Sequence, residues 1–145
     1  MAKPDPALLD PARYPFSCSI ETRYRDLDSN LHLNNGVMAS LLEEGRVRFH
    51  RAAAFAGLGT DAEASAMVVS LALEFLGQSH FPDPLDIHIG FARIGNTSYE
   101  LAQLVMQCGS VVAFGRATLV SVWQGEPHPI SDQRRAPAQA WMLKP

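Results

Sequence analysis

Cysteine is scarce in this chain, and neither sign of charge is in large excess. The two cysteines of the 145 residues, Cys18 and Cys108, fall in strand-like runs without metal-ligand spacing. They read as reduced, buried thiols in preference to a disulfide. Twelve Lys and Arg stand against fifteen Asp and Glu, a net charge of −3. That balance lacks the basic excess of a nucleic-acid surface, so no nucleic-acid partner is expected. No apolar run approaches the roughly 20 residues of a membrane helix. The first fifteen residues carry four of the ten prolines and no apolar core, so they do not read as a signal peptide. A cytoplasmic protein without a membrane partner is the expectation. Gly-rich phosphate loops, a nucleophile elbow and Cys/His metal sets are absent from the sequence, and no metal is expected.

What is present is regular patterning. Residues 1–15 read as an irregular lead-in, 16–124 as one domain and 125–145 as a Pro-rich tail with a helical turn or two near 132–140. From Phe16 the chain alternates, with Phe16, Cys18, Ile20, Thr22 and Tyr24 on one side, as a half-buried strand does. A polar loop, DLDSNLHLNN, precedes a helical stretch from about Asn35 to Ala56. There Met38, Leu41, Leu42, Gly45, Phe49, Ala52, Ala53 and Ala56 make one apolar stripe. Asn34 or Asn35 suits the helix cap, Gly57 and Gly59 its end, and Glu44 and Arg48 an i,i+4 pair. His50 falls on the polar side of that stripe.

Four more strands follow: 66–76, 85–94, 97–107 and 111–123. Met67, Val69, Leu71, Leu73 and Phe75 share one side of the first, and Leu85, Ile87, Ile89 and Phe91 one side of the second. Gly95-Asn96 and Cys108-Gly109-Ser110 are tight turns, which imply antiparallel neighbours. The order β–long α–β–β–β–β predicts an α+β domain in which a sheet curls around the single long helix.

The polar loop concentrates the chemistry. Asp26, Asp28, Asn30 and His32 sit at relative positions 1, 3, 5 and 7, like the start of a calcium loop. The required Gly at position 6 is Leu31, however, and the required Glu at position 12 is Val37, so calcium is rejected. Two readings remain from the residues alone. Asp, Asn and Ser are ordinary strand-to-helix turn residues whose side chains bond nearby amides. Alternatively, a helix N-terminus polarises a carbonyl while a carboxylate just before it attacks the carbonyl carbon or activates water.

The segment RDLDSNLHLNNGVMASLLEEGR, residues 25–46, resembles the hot-dog-fold thioesterases of the 4-hydroxybenzoyl-CoA type. It is similar also to the plant fatty acyl-ACP thioesterases, whose loop reads D-L-D-x-N-x-H-x-N-N. Glu43 and Arg46 match the family's helix E-x-x-R pair, and LEFLGQ, IGNTSYEL and VVAFGRATLVSVW follow in family-like order.

The resemblance implies a hot-dog fold with a five- or six-stranded antiparallel sheet. It also implies a homodimer or dimer-based tetramer with sites at the subunit interface. The implied activity is hydrolysis of an acyl-CoA or acyl-ACP thioester, coenzyme A or its pantetheine arm entering as part of the substrate and not as a cofactor. Asp28 takes the place of the catalytic Asp, Asn30 and His32 those of its partners, and Asn34, Asn35 and Gly36 line the substrate at the helix start. Glu43 and Arg46 are equally well read as a helix-to-sheet salt bridge. The chain departs from the family at Leu31, where bacterial members carry Gly before the His, and at Met38, where Tyr is usual.

The remaining polar residues carry less. His50 and His128 read as solvated; His80 and His88, near strand ends and on a polar strand side, are candidates for pocket lining for which a bland surface role is preferred; and Arg93 and Arg116 read as surface cations in preference to phosphate ligands. Two other functions stay open: a non-catalytic acyl-thioester binder, and an acyl-CoA hydratase or dehydratase. Against the latter, Asp28 and His32 are four apart without the intervening Pro of that pattern.

Overall fold

Residue spacing and burial together explain the architecture in the computed structural model, which describes residues 3–55 and 65–145. Strand β1 (Phe16–Ile20) leads through the polar loop into helix α1 (Asn35–Ala52). Strands β2 (Ser65–Phe75), β3 (Leu85–Ile94), β4 (Ser98–Gln107) and β5 (Ser110–Trp123) follow. The chain ends with a two-residue strand β6 (Glu126–Pro127) and a short helix α2 (Asp132–Ala138). The described strands pair antiparallel, in the order β1-β3-β4-β5-β2, with β6 on β5, and an isolated parallel bridge joins Phe91 to Met142 of the tail. This is the expected α+β hot-dog arrangement.

Helix α1 forms where its apolar spacing begins. Asn34 caps it, the Oδ1 accepting the Gly36 N–H at 2.8 Å. Its eighteen residues span about 27 Å at 1.5 Å each. Met38, Leu41, Leu42, Gly45 and Phe49 are buried as the stripe predicts. They meet Leu85, Ile87, Ile89 and Phe91 of β3 and Leu101 of β4, all fully buried. A Cβ on Gly45 would stand 3.3 Å from Ile87 and Ile89, so the small residue lets the helix lie close on the sheet. Burying each such side chain contributes roughly 1.5–3 kcal/mol.

Several expectations are corrected. The first strand stops at Ile20; Thr22 turns inward to donate its hydroxyl to the Asp83 carbonyl, and Tyr24 stands in solvent. The helix ends at Ala52, which is exposed, while Ala56, Gly57 and Gly59 lie outside the described residues. His50 is buried, not solvated, because the apolar stripe is wide enough to include it and Arg46. Cys18 is half-buried, but Cys108 is exposed at the β4–β5 turn; both thiols are free. A bulge between Val68 and Ser70 shifts the facing of β2, and Met67, Val69, Leu71 and Phe75 remain exposed along this sheet edge.

The outer face of the sheet carries a second, smaller core. Ala102 and Leu104 of β4 and Phe114 of β5 are covered by Tyr14, Leu8 and Leu9 from the N-terminal segment and by Leu143 from the tail. The N-terminal segment is two 3-10 turns, Pro6–Leu9 and Pro11–Arg13, each entered through an Asp cap. Its end lies against the tail: the Lys144 N–H donates to the Arg13 carbonyl at 2.7 Å, and Arg13 Nε returns a bond to the Lys144 carbonyl at 2.7 Å. Beneath this crossing Gly90 has no room for a side chain, since a Cβ there would stand 2.8 Å from both Pro15 and Leu143.

Candidate active site

The polar loop folds around Asp28. Its backbone N–H donates to the His32 carbonyl at 2.8 Å, and its carbonyl accepts the Leu31 N–H at 3.0 Å. One carboxylate oxygen, Oδ1, accepts the Asn30 N–H at 2.8 Å and the His32 N–H at 3.2 Å. The other, Oδ2, has no partner among the described residues. Two backbone amides thus fix the carboxylate while one oxygen stays open. The turn forces Leu31 to φ 61°, in the left-handed region that favours glycine, and its side chain is 62% exposed.

Asp26, two residues earlier, is a different kind of carboxylate. It is buried and accepts the Arg23 N–H at 3.0 Å and the Arg23 Nη2 at 2.9 Å. The hydrogen bonds from Arg23 hold its carboxyl below the usual carboxylate range. Asp26 braces the loop, and its carbonyl anchors the Asn34 N–H at 2.9 Å.

A cleft of about 140 Å³ opens beside the start of α1. Asp28, His32 and Asn35 line one side; Leu33, Met38 and Phe75 form its apolar part; Gly77, Gln78 and Ser79 close the far wall. The structure therefore brings together three of the six residues expected at the site. Asn30 is exposed and contributes its backbone N–H to Asp28, while Asn34 and Gly36 are outside the lining and occupied with capping the helix. The first-turn N–H groups without a partner among the described residues are those of Asn35 and Val37. Of the two, Asn35 lines the cleft, whereas the Gly36 N–H is spent on the cap, so the positive helix end meets the cleft at Asn35.

The far wall is the part that sequence reasoning assigned no role. Its carrying segment follows β2 and is held by Ser79, whose carbonyl accepts the Leu33 N–H at 2.9 Å. Gln107 at the end of β4 holds it from behind: Nε2 donates to the carbonyls of His80 at 2.7 Å and Asp83 at 2.8 Å. The motif LEFLGQ is legible in the sequence, but which wall its segment builds depends on bonds to Gln107 and Leu33, far from it along the chain. His80 packs its ring edge-to-face on His32 at 5.2 Å, which places it at the cleft's edge.

The other polar candidates lie elsewhere. Glu43 is exposed, and buried Arg46 donates to the Gln103 Oε1 at 2.9 Å, so the helix-to-sheet link is a hydrogen bond to a neutral amide and not a salt bridge. His50 bonds Tyr99 Oη at 2.8 Å; burial, aided by Arg46 and Arg134, pushes its pKa down to about 4. Arg116 pairs with Glu100 at 2.9 Å, Arg93 is exposed on β3, and His88 is half-buried near Tyr14. His128 packs near Trp123. Among the described residues, no group of three or more His, Cys, Asp or Glu side chains is placed to hold a metal ion, and no helix is long and apolar enough to cross a membrane.

The fold has counterparts among solved structures. A predicted thioesterase from Bacillus stearothermophilus is 25% identical, with a TM-score of 0.81 over 90% of this chain and 98% of that one. A thioesterase from Thermus thermophilus, solved in complex with coenzyme A and Zn, is 25% identical at a TM-score of 0.80 over 92% and 98%. A thioesterase-superfamily protein of a Jannaschia species shares the fold at 20% identity and a TM-score of 0.81, over 97% of this chain and 92% of that one. No curated protein matches the chain. The family model described as the thioesterase-like superfamily matches residues 22–144, which include the loop, the helix and both cleft walls. With most of its length matched, the chain belongs to the thioesterase-like superfamily.

Proposed function

We propose that this protein hydrolyses an acyl thioester of coenzyme A or acyl carrier protein, with Asp28 as the reacting carboxylate. The observation that carries the reading is the open Oδ2 of Asp28 in a cleft it shares with Asn35, the first residue of α1. The thioester carbonyl would lie between that oxygen and the free N–H groups of Asn35 and Val37. Negative charge develops on the carbonyl oxygen in the tetrahedral intermediate, and those donors together with the helix dipole stabilise it.

Asp28 acts in one of two balanced ways. As general base it takes a proton from water, whose hydroxide adds to the carbonyl carbon; the C–S bond then breaks and the thiol leaves with the proton. As nucleophile it forms an acyl anhydride and expels the thiolate; water then cleaves the anhydride to the acid and the Asp28 carboxylate, and the proton released goes to the thiolate. His32, with its N–H on Oδ1 and its ring against His80, and Asn30, with its N–H on the same oxygen, orient the carboxylate in either route. The coenzyme A bound to the Thermus relative supports a coenzyme A thioester as the first substrate to try.

The same reading includes pairing of two copies through their β2 edges. Met67, Val68, Val69, Leu71 and Phe75 are exposed there, and an unpaired edge of such composition invites a second strand. Phe75 belongs both to this edge and to the cleft, so the partner would complete the acyl site. Sedimentation at micromolar concentration should give a dimer or a dimer-based tetramer, and a monomer would remove this part of the reading.

Turnover of a panel of aryl- and fatty-acyl-CoA substrates, followed by thiol release, tests the chemistry. Hydrolysis of at least one, lost in Asp28→Asn, is expected; no turnover on any, or full activity in the variant, overturns the assignment. A single turnover in ¹⁸O-water identifies the nucleophilic route if label enters Asp28, which happens when water attacks the aspartyl carbon of the anhydride.

A further inference from the structure

Two exposed aromatic rings stand beside the cleft, and partly buried hydrogen bonds hold the segments that carry them. Tyr24 is 70% exposed and Phe81 40% exposed, and their rings meet edge to face at 5.9 Å. Behind Tyr24, the 3-10 turn Tyr24–Asp26 is fixed by the buried Asp26 carboxylate and Arg23. Behind Phe81, buried Gln107 clamps the backbone on both sides, bonding the His80 N–H at 2.8 Å and the carbonyls of His80 and Asp83. Buried Thr22 ties the two segments together through the Asp83 carbonyl at 3.0 Å. Three buried polar side chains thus position a pair of exposed rings. A rigid, preorganised aromatic pair loses little entropy when a planar ligand settles on it.

The pair is continuous with the cleft. The segment that supplies Gly77, Gln78 and Ser79 to the far wall reaches Phe81 two residues later, within about 7 Å of chain. His80, between them, rests on His32. Next to Tyr24, exposed Arg25 forms no ion pair among the described residues, whereas Arg23 is committed to Asp26.

We propose that Tyr24, Phe81 and Arg25 form a docking platform for the adenosine-phosphate end of a coenzyme A thioester. Every nucleobase offers a π-face to an exposed aromatic ring, and a guanidinium suits phosphate oxygens. The proposal rests on the thioesterase reading and sharpens it to a substrate class. A carrier-protein thioester has the pantetheine arm but no adenine, so the platform favours coenzyme A thioesters.

Kinetics on matched acyl-CoA and acyl-pantetheine substrates test it. Tyr24→Ala, and separately Phe81→Leu, should raise KM for acyl-CoA about ten-fold with little change in kcat, the size expected for loss of one stacked base. Neither should alter KM for acyl-pantetheine, and Arg25→Ala should give a smaller, salt-sensitive rise for acyl-CoA alone. Calorimetric binding of free coenzyme A, pantetheine and adenosine 3′,5′-bisphosphate provides a readout independent of turnover. Loss of coenzyme A and bisphosphate binding in Tyr24→Ala supports the platform even if Asp28 proves not to be catalytic. Equal effects on acyl-CoA and acyl-pantetheine, unchanged KM for both, or no binding of coenzyme A by the native chain would overturn it.

Discussion

The two ends of helix α1 use similar residues to opposite purposes. At its N-terminus, Asp28, His32 and Asn35 stand around an open cleft, and a carboxylate oxygen and two backbone N–H groups are left without partners among the described residues. Toward its C-terminus, Arg46, His50, Tyr99 and Gln103 are sealed in the core. There the His50 ring meets Tyr99, and Gln103 joins Arg46 to the Leu42 carbonyl at 2.9 Å. Phe55 and Phe91 pack around them. The open end keeps capacity for a ligand; the sealed end spends its polar groups on one another and specifies how helix and sheet dock. Titratable side chains alone do not mark a site. What distinguishes the two ends is whether a polar atom is left facing a cavity.

The comparison breaks first at Asp28. Asp28→Asn keeps an oxygen to accept the Asn30 and His32 amides, so the loop should hold and Tm should stay close to that of the native chain. Hydrolysis should nevertheless fall by about 10³-fold in kcat/KM, within the range of a lost acid–base or nucleophilic group. An equal fall in Tm would mean that the open end is structural as well.

The sealed end should answer to pH instead of to substrate. His50 titrates near 4 in the folded protein and near its ordinary 6.5 when unfolded. Between those values the unfolded chain binds more protons, so stability is full above about pH 6.5 and is lost as pH falls toward 4. One group of this size contributes about 3 kcal/mol. Urea unfolding at pH 7 and pH 4.5 should show most of that difference, and His50→Gln should flatten it. Tyr99→Phe, which removes the partner of the His50 ring, should cost about 1–2 kcal/mol at pH 7 and leave thioester hydrolysis intact.

The smallest expected effect sharpens the picture at the open end. Leu31→Gly relieves a left-handed backbone position and should raise stability by about 1 kcal/mol, read by denaturant midpoint, with kcat essentially unchanged. A loss of activity would instead give the exposed leucine a part in holding the acyl group.

Local periodicity made much of this fold legible. Leu85, Ile87, Ile89 and Phe91 alternate in the sequence and are all fully buried, and the Asn34 cap and the Met38–Phe49 stripe were readable from spacing alone. The misread positions are those decided at a distance. His50 looked polar because its partner Tyr99 lies 49 residues away, and Tyr24 looked inward because nothing local announced that the chain turns at Thr22 to reach Asp83. At the site, the loop that holds Asp28 was legible because its bonds are made within ten residues. The wall of Gly77, Gln78 and Ser79 was not, because Gln107 and Leu33 place it. The lead-in is irregular, as its prolines imply, yet Leu8, Leu9 and Tyr14 form the lid of the outer core.

The seam between residues 13 and 144 has a practical corollary. Because reciprocal backbone and guanidinium bonds bring these positions side by side, removing the last two residues would release the lead-in at Arg13 as well as the tail, so the two terminal segments hold or loosen together.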